Sequence, residues 1–324
     1  MIWKYALRRL VAAIPVVIGV TTVTFLLMKV TAGNYVPGLD LNPDLRPEDV
    51  ARIRHQLGVD QPLYLQYLQW IVGVFLHGDF GRSLLDGTPV LQHILVRLPA
   101  SLELTLTAIL IGVALAIPLG LTGALRRGSK VDHLLTGVSV GGFAVPQFWL
   151  GLMLILLFSV TFKAWGLPWL PSGGRESTIG GGDPIDLLTH LVMPATVLSF
   201  FYLSIWSRFV RSSTLEVLSQ DYVRTARAKG MPERRVVYLH ALRNSIVPLV
   251  TLVGLELPGL FAGGLVVEVV FSWPGIGLMA FERAKGYDFT MVMGVTTFVA
   301  ILVVFGNLLA DLLYAVLDPR IRYT

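Results

Sequence analysis

Three sets of residues in this sequence have types and spacings suited to chemistry. Gly137-Val138-Ser139-Val140-Gly141 has the G-x-S-x-G spacing of a hydrolase nucleophile. Glu256, Asn307 and Asp311 place carboxyl and amide groups inside otherwise apolar stretches. Residues 222–242, YVRTARAKGMPERRVVYLHAL, set Arg224, Arg227, Lys229, Arg234 and Arg235 against a single Glu233. The first set fails on context. A nucleophile elbow needs a sharp strand-to-helix turn, whereas 137–141 lie inside an apolar run that reads as helix. Gly137 and Gly141 are read instead as a G-x-x-x-G helix-packing pair. The six histidines, with no cysteine beside them, show no metal-ligand spacing. Neither H-E-x-x-H nor the phosphate-cradling G-x-x-x-x-G-K-[ST] occurs. Covalent catalysis, a metal site and a cofactor are therefore not expected in this chain.

The other two sets depend on what surrounds them. Of the 324 residues, 54% are hydrophobic and 15% charged, against about 25% charged in soluble domains. A helix needs about 20 apolar residues to cross roughly 30 Å of hydrocarbon. Six stretches qualify: 10–28, 100–125, 134–162, 187–207, 246–270 and 291–317. They lack the period-2 alternation of barrel strands, so an all-α integral membrane protein with six transmembrane helices is expected. The first stretch follows Lys4, Arg8 and Arg9 as a signal peptide would. It is too long for that and no A-x-A-like site follows, so it reads as a retained anchor. PLYLQYLQWIVGVFL at 62–76 is short and interrupted by Gln66 and Gln69. It reads as an interfacial or packed amphipathic helix with Tyr64, Tyr67 and Trp70 near the headgroups. Pro118, Pro146, Pro194 and Pro258 fall inside expected spans and predict kinks.

Lys and Arg concentrate on the cytoplasmic side of membrane proteins. With both termini cytoplasmic, the inner set is Lys4, Arg8, Arg9, Arg126, Arg127, Lys130, Arg208, Arg211, Arg224, Arg227, Lys229, Arg234, Arg235, Arg243, Arg320 and Arg322, the majority of the 26 basic residues. Each Arg or Lys at the bilayer centre costs about 2.5–3.5 kcal/mol, so the basic loop 208–245 stays in water. The net charge of +5 is not interleaved with aromatics in a nucleic-acid-reading pattern, and no nucleic-acid partner is expected. The chain then divides into a cytoplasmic tip and first anchor (1–30), an extracytoplasmic helical segment (31–98), a five-helix core carrying the cytoplasmic loop (99–317), and a cytoplasmic tail (318–324).

Within the loop, Asp221 to Lys229 suits a helix and Gly230 a left-handed cap. Pro232 suits the first turn of a second helix, with Glu233 near its positive end. The loop far exceeds the roughly 2–8 residues that usually join helices. Tyr222, Val223, Ala226, Val236, Val237 and Leu239 give it an apolar face. A structured basic hairpin of this kind is a docking surface for a cytoplasmic partner.

The hairpin resembles the E-A-A-x-x-x-G loop of ABC-type import permeases. The matching positions are Arg224, Thr225, Ala226 and Gly230, with Arg224 where the pattern has Glu and His240-Ala241-Leu242-Arg243 where it has I-x-L-P. DYVRTARAKG is closer to the version in the first permease subunit of dipeptide, oligopeptide and nickel importers. RRLVAAIPVVIGVTTVTFLLM resembles that family's anchor and HGDFGRSL (77–84) its outer loop. FSWPGIG (271–277), YDF (287–289) and DLLYAVLDPRIRY match further along.

The resemblance implies a type I ABC importer permease fold in the cytoplasmic (inner) membrane, with peptides as the substrate. It implies that Arg224, Thr225, Ala226, Arg227, Ala228, Lys229, Gly230 and Met231 couple the chain to an ATPase subunit. ATP and Mg would be bound on two separate ATPase subunits or domains. A second, homologous permease subunit would complete the path, within membrane lipid. An extracytoplasmic substrate-binding protein would meet the outer surface, for which 31–98 and 272–288 are candidate contacts. Nickel, glutathione-like compounds and oligosaccharides are moved by similar permeases. Glu256, Asn307 and Asp311 either line the substrate path or satisfy neighbouring helices. The alternative from another class is a secondary transporter driven by an ion gradient. That would need paired interrupted helices, which the two halves of the sequence do not show.

Overall fold

The computed structural model describes residues 2–32, 46–56, 60–256, 259–260 and 264–317. In chain order the helices are α1 (Ile2–Ala32), α2 (Pro47–Gln56), α3 (Leu63–His77), α4 (Val90–Leu125), α5 (Lys130–Ala144), α6 (Gln147–Ala164), α7 (Pro184–Leu218), α8 (Asp221–Ala228), α9 (Glu233–Leu255), α10 (Leu265–Val270), α11 (Ile276–Lys285) and α12 (Phe289–Leu317). Among the described residues the only extended pairing is an isolated antiparallel bridge between Arg82 and Pro89. Six stretches are long and apolar enough to cross a membrane: Val11–Thr31, Val90–Leu125, Gln147–Ala164, Pro184–Leu218, Glu233–Leu255 and Phe289–Ala310.

The chain forms two units. In the first, Met1–Ser101 with Pro274–Thr324, α1 packs along α12. Its buried core is Val74, Phe80, Val90, Ile94, Ile276, Met279, Met291 and Val295. Helix α3, expected as an interfacial or packed helix, is tied to α1 through Tyr67. The Thr22 hydroxyl donates to Tyr67 Oη (2.8 Å), and Tyr67 donates in turn to the Ile18 carbonyl (3.2 Å). With 15 residues, α3 is about 22 Å long at 1.5 Å per residue, short of a bilayer.

In the second unit, Leu102–Trp273, α7 is the central helix. It buries Trp206, Tyr202, Val210 and Thr214, and packs against α5, α6, α9 and α10. Its contact with α4 is close. A Cβ on Gly120 would lie 2.6 Å from the Ser207 carbonyl oxygen, so the α4 backbone rests directly on α7.

Several helix bounds differ from the sequence expectation, each for a physical reason. The stretch 134–162 is not one helix. α5 ends at Ala144, Val145 is extended (φ −76°, ψ 122°), and Pro146 (ψ 133°) precedes α6. The residue before a proline is pushed out of the helical region, so Pro146 makes a break where a kink was expected. Pro118 and Pro194 lie inside continuous helices, and Pro258 lies outside the described residues. The stretch 246–270 is also divided, because the helix starting at Glu233 ends at Leu255 and α10 begins only at Leu265. Helix α4 starts at Val90 and α7 runs on to Leu218. Polar residues on an exposed face cost a helix little, although they end an apolar window. A Cβ on Gly137 or Gly141 would meet nothing beyond its own helix within 4 Å among the described residues. The close approach is at Gly142, where a Cβ would lie 2.1 Å from Ser204 Oγ of α7. The expected G-x-x-x-G pair is therefore displaced by one residue from the actual contact.

Candidate functional site

Between α7 and α9 the chain makes a hairpin. Helix α8 follows α7 after only Ser219 and Gln220. It ends at Ala228, and Gly230 takes φ +76°, a left-handed conformation open to glycine without the Cβ clash. Pro232 (φ −63°, ψ 139°) then caps α9. The turn is closed by the Met231 amide, which donates to the Ala226 carbonyl (3.3 Å). Arg227 also makes two bonds to Glu233, Nη2 to Oε1 at 2.7 Å and Nε to Oε2 at 3.1 Å. That bond to Glu233 raises the Arg227 pKa above its ordinary value.

Part of the hairpin's expected apolar face closes on itself, while Tyr222 and Leu239 remain exposed. Val223 and Val236 are fully buried and Ala226 nearly so, with Val217, Leu218 and Met231 packed against them. Asn244 Nδ2 donates to Tyr222 Oη (2.9 Å), joining the two arms. The first turn of α9, Glu233–Arg235, is followed by a π-helical stretch, Val236–Leu242. The charges face outward. Arg224, with its side chain 79% exposed, meets Asp221 at 3.4 Å. Thr225, Ala228, Lys229, Arg234 and Arg235 are exposed. Of the coupling residues expected from sequence, Arg224, Thr225, Arg227, Ala228, Lys229 and Gly230 thus share the exposed surface of one hairpin. Ala226 is core and Met231 half-buried.

Beside the hairpin's root lies an ion pair that sequence reasoning missed. Arg211 of α7 grips Asp132 of α5 with both Nε (2.6 Å to Oδ1) and Nη2 (2.8 Å to Oδ2). The Gly128 amide donates to Asp132 Oδ2 (2.9 Å), and the Asp132 amide to Ser129 Oγ (3.3 Å). The Arg211 guanidinium, followed by the Gly128 amide, lowers the Asp132 pKa to about 2. A local signal was present: Ser129 with Asp132 three residues on is an N-cap arrangement like a capping box. The partner 79 positions away was not visible. Ser139 is buried on α5, donates to the Leu135 carbonyl (2.9 Å), and lies 2.9 Å from Ser207 Oγ. Its hydroxyl is engaged in helix packing.

The residues expected along a substrate path belong to different units. Glu256 is half-buried at the C-terminal end of α9, in the second unit. Asn307 is exposed on α12, in the first. The Asp311 side chain is outside the described residues. Among the residues described, no group of three or more His, Asp or Glu is placed to hold a metal ion.

Comparison with known proteins places this arrangement. Residues 108–323 match the family described as binding-protein-dependent transport system inner membrane component, and residues 2–105 match its N-terminal counterpart. The chain is 41% identical to the oligopeptide transport system permease protein AppB of Bacillus subtilis, covering 98% of this chain and 99% of that one. It is 39% identical to the dipeptide transport system permease protein DppB of Escherichia coli, covering 99% of each. Among solved structures, the MetNI methionine ABC transporter in an inward-facing conformation matches with a TM-score of 0.54 and 17% identity, over 70% of this chain and 97% of that one. That last likeness bears on fold alone. With both family descriptions matched and full-length relatives near 40% identity, the chain belongs to the inner-membrane permease components of binding-protein-dependent ABC importers.

Proposed function

We propose that this permease moves di- or oligopeptides across the cytoplasmic membrane, with both termini on the cytoplasmic side, and that α8 with the start of α9 is its coupling element. The peptide assignment is drawn from the relatives named for oligopeptide and dipeptide transport. The orientation is drawn from the Lys and Arg distribution. The partners are a second permease of the same family, two ATPase subunits that hold ATP and Mg, and an extracytoplasmic substrate-binding protein. Glu256, Asn307 and Asp311 are proposed to line the peptide path.

The observation that carries the coupling role is the hairpin's division of labour. Val223, Ala226 and Val236 are used up inside, and the basic residues stand on the outer surface beside the exposed Tyr222, Tyr238 and Leu239. Lys229, Arg234 and Arg235 form no ion pair among the described residues. Such a surface sets the orientation and association rate of a partner more than its affinity. The small exposed Ala228 lets that partner approach closely.

The chain has no cysteine, which makes the test direct. Ala228→Cys is crosslinked to cysteines placed on the ATPase subunits, with and without ATP, while labelled dipeptide uptake is measured in the same vesicles. A nucleotide-sensitive crosslink together with ATP-dependent uptake is expected. Uptake without any crosslink to an ATPase would remove the coupling role from this hairpin.

A further inference from the structure

We infer that the Asp132–Arg211 pair is the strut through which displacement of the hairpin reaches the membrane-spanning core. Both residues then act as positioning residues of the transport cycle. The inference rests on the coupling role proposed above. Helix α7 carries Arg211 and runs unbroken to Leu218, about two helical turns beyond it. After Ser219 and Gln220, α8 begins. A partner that moves the hairpin therefore moves Arg211.

The contact made by Arg211 is directional. A bidentate guanidinium–carboxylate fork fixes angle as well as distance, and lysine offers no equivalent geometry. Asp132 passes the constraint on. Its carboxylate also holds the Gly128 amide, and its own amide is capped by Ser129. The turn between α4 and α5 and the first turn of α5 are thereby fixed to the same point. The end of α4 lies against it too: a Cβ on Gly123 would meet Arg211 Cδ at 3.3 Å and Asp132 Oδ1 at 3.4 Å.

From that point α5 and α7 run antiparallel and touch at successive levels, Asp132 with Arg211, Ser139 with Ser207, and Gly142 with Ser204. A cavity of about 30 Å³ among Leu119, Ser139, Ser207 and Arg211 and a more open one of about 430 Å³ beside Thr136, Phe143, Ile205 and Arg208 flank these contacts, so the two helices are joined at discrete points. Joints of that kind switch between arrangements instead of deforming gradually. The Asp132 side chain is 4% exposed and that of Arg211 31% exposed. The carboxylate therefore has no ready substitute for its partner in water.

The test uses the assembled transporter in proteoliposomes, with peptide uptake and ATP hydrolysis measured together. Asp132→Asn and Arg211→Lys keep most of the volume and some hydrogen bonding but lose the charged fork. Assembly and the Ala228→Cys crosslink should persist, while uptake per ATP hydrolysed falls about five- to tenfold, the scale of ordinary coupling between sites. The reversed pair, Asp132→Arg with Arg211→Asp, should recover part of that ratio. An unchanged ratio would overturn the strut. So would parallel falls in uptake and hydrolysis with no recovery in the reversed pair, which would make the contact a fold determinant only. Absence of the crosslink in a chain with Asp132 and Arg211 intact would fail the coupling role itself, whatever the ratio, and the strut would fall with it.

Discussion

The hairpin at 221–245 and the turn at 83–89 both mix charges with turn-forming residues, and they use the charges in opposite ways. In the hairpin the buried material is small and apolar, Val223, Ala226 and Val236, and the ionic groups stand in water. In the turn the buried material is ionic. Asp288 is fully buried and accepts from Ser83 Oγ (2.5 Å), the Leu84 amide (3.0 Å), the Met291 amide (3.2 Å) and Arg283 Nη1 (3.4 Å). Arg283 reaches on to Asp86 at 2.8 Å. A charge with all its bonds inside the chain fixes a segment; one left at the surface is available to another molecule. The HGDFGRSL and YDF motifs, far apart in sequence, thus turn out to be the two sides of one internal pin.

The largest test of this contrast is Asp288→Ala. It strips an acceptor from Ser83, Leu84, Met291 and Arg283 together, and breaking a buried pair of this kind costs about 3–5 kcal/mol. Denaturation of the purified chain in detergent should show a loss of that size. A loss of only about 0.2–1 kcal/mol, the range of an exposed pair, would show that the pin is ordinary surface chemistry.

Acid provides a second, smaller lever on the same turn. The Thr88 hydroxyl, and after it Arg283 and Ser83, hold the Asp86 carboxyl well below its ordinary 3.8. A depressed carboxylate contributes stability above its unfolded value, and that contribution disappears as pH falls through the folded one. Melting temperature should therefore drop on acidification below 3.8, and Thr88→Ala should flatten the drop. Parallel curves for the two chains would remove Thr88 from the account. The hairpin core, made of apolar groups, supplies no such slope.

These two regions also show what could be read from sequence. The number of apolar spans and the stop, turn and restart at Lys229–Glu233 are local, set by periodicity and by Gly and Pro, and both were legible. The break at Pro146 was obscured because hydrophobicity continues unbroken across it. Pairings such as Asp132 with Arg211, or Ser83 with Asp288 across 205 positions, leave no trace in a local pattern. Gly142 was passed over for Gly137 and Gly141 because the motif spacing favoured them, whereas the contact depends on which helical face meets α7. Arg211 itself was counted among free loop charges, although α7 extends past it and gives it a buried partner. The ion-gradient alternative lacks the paired interrupted helices it would need in the two halves of the sequence, and family membership decides for the permease.

On the hairpin side, Gly230→Ala probes backbone alone. Beyond its chain neighbours, no atom of the described residues lies within 4 Å of the site a Cβ would take, while φ is +76°. The expected cost is about 1–2 kcal/mol for the left-handed conformation, read as a lower melting temperature and a weaker complex with the ATPase subunits. A neutral result would mean that the turn has relaxed to negative φ. Crosslinking at Ala228→Cys in the same chain would then report whether the hairpin still docks.

The smallest expected effect is the most informative about the comparison. Glu233→Gln removes the one acidic group that bonds Arg227 across the turn. Both partners are substantially exposed, 43% and 59%, so the loss of stability should lie within about 0.2–1 kcal/mol. Binding to an ATPase partner should respond differently, because the substitution leaves one more uncompensated positive charge on the docking face. Exposed charges act on association rate and are screened by salt. The variant should therefore associate with a changed rate at low ionic strength, and the difference should fade as salt is raised. A large stability loss with no salt-dependent change in association would assign the Arg227–Glu233 bond to holding the hairpin together. The contrast between a surface that recognises and a pin that fixes would then rest on Arg224, Lys229, Arg234 and Arg235 alone.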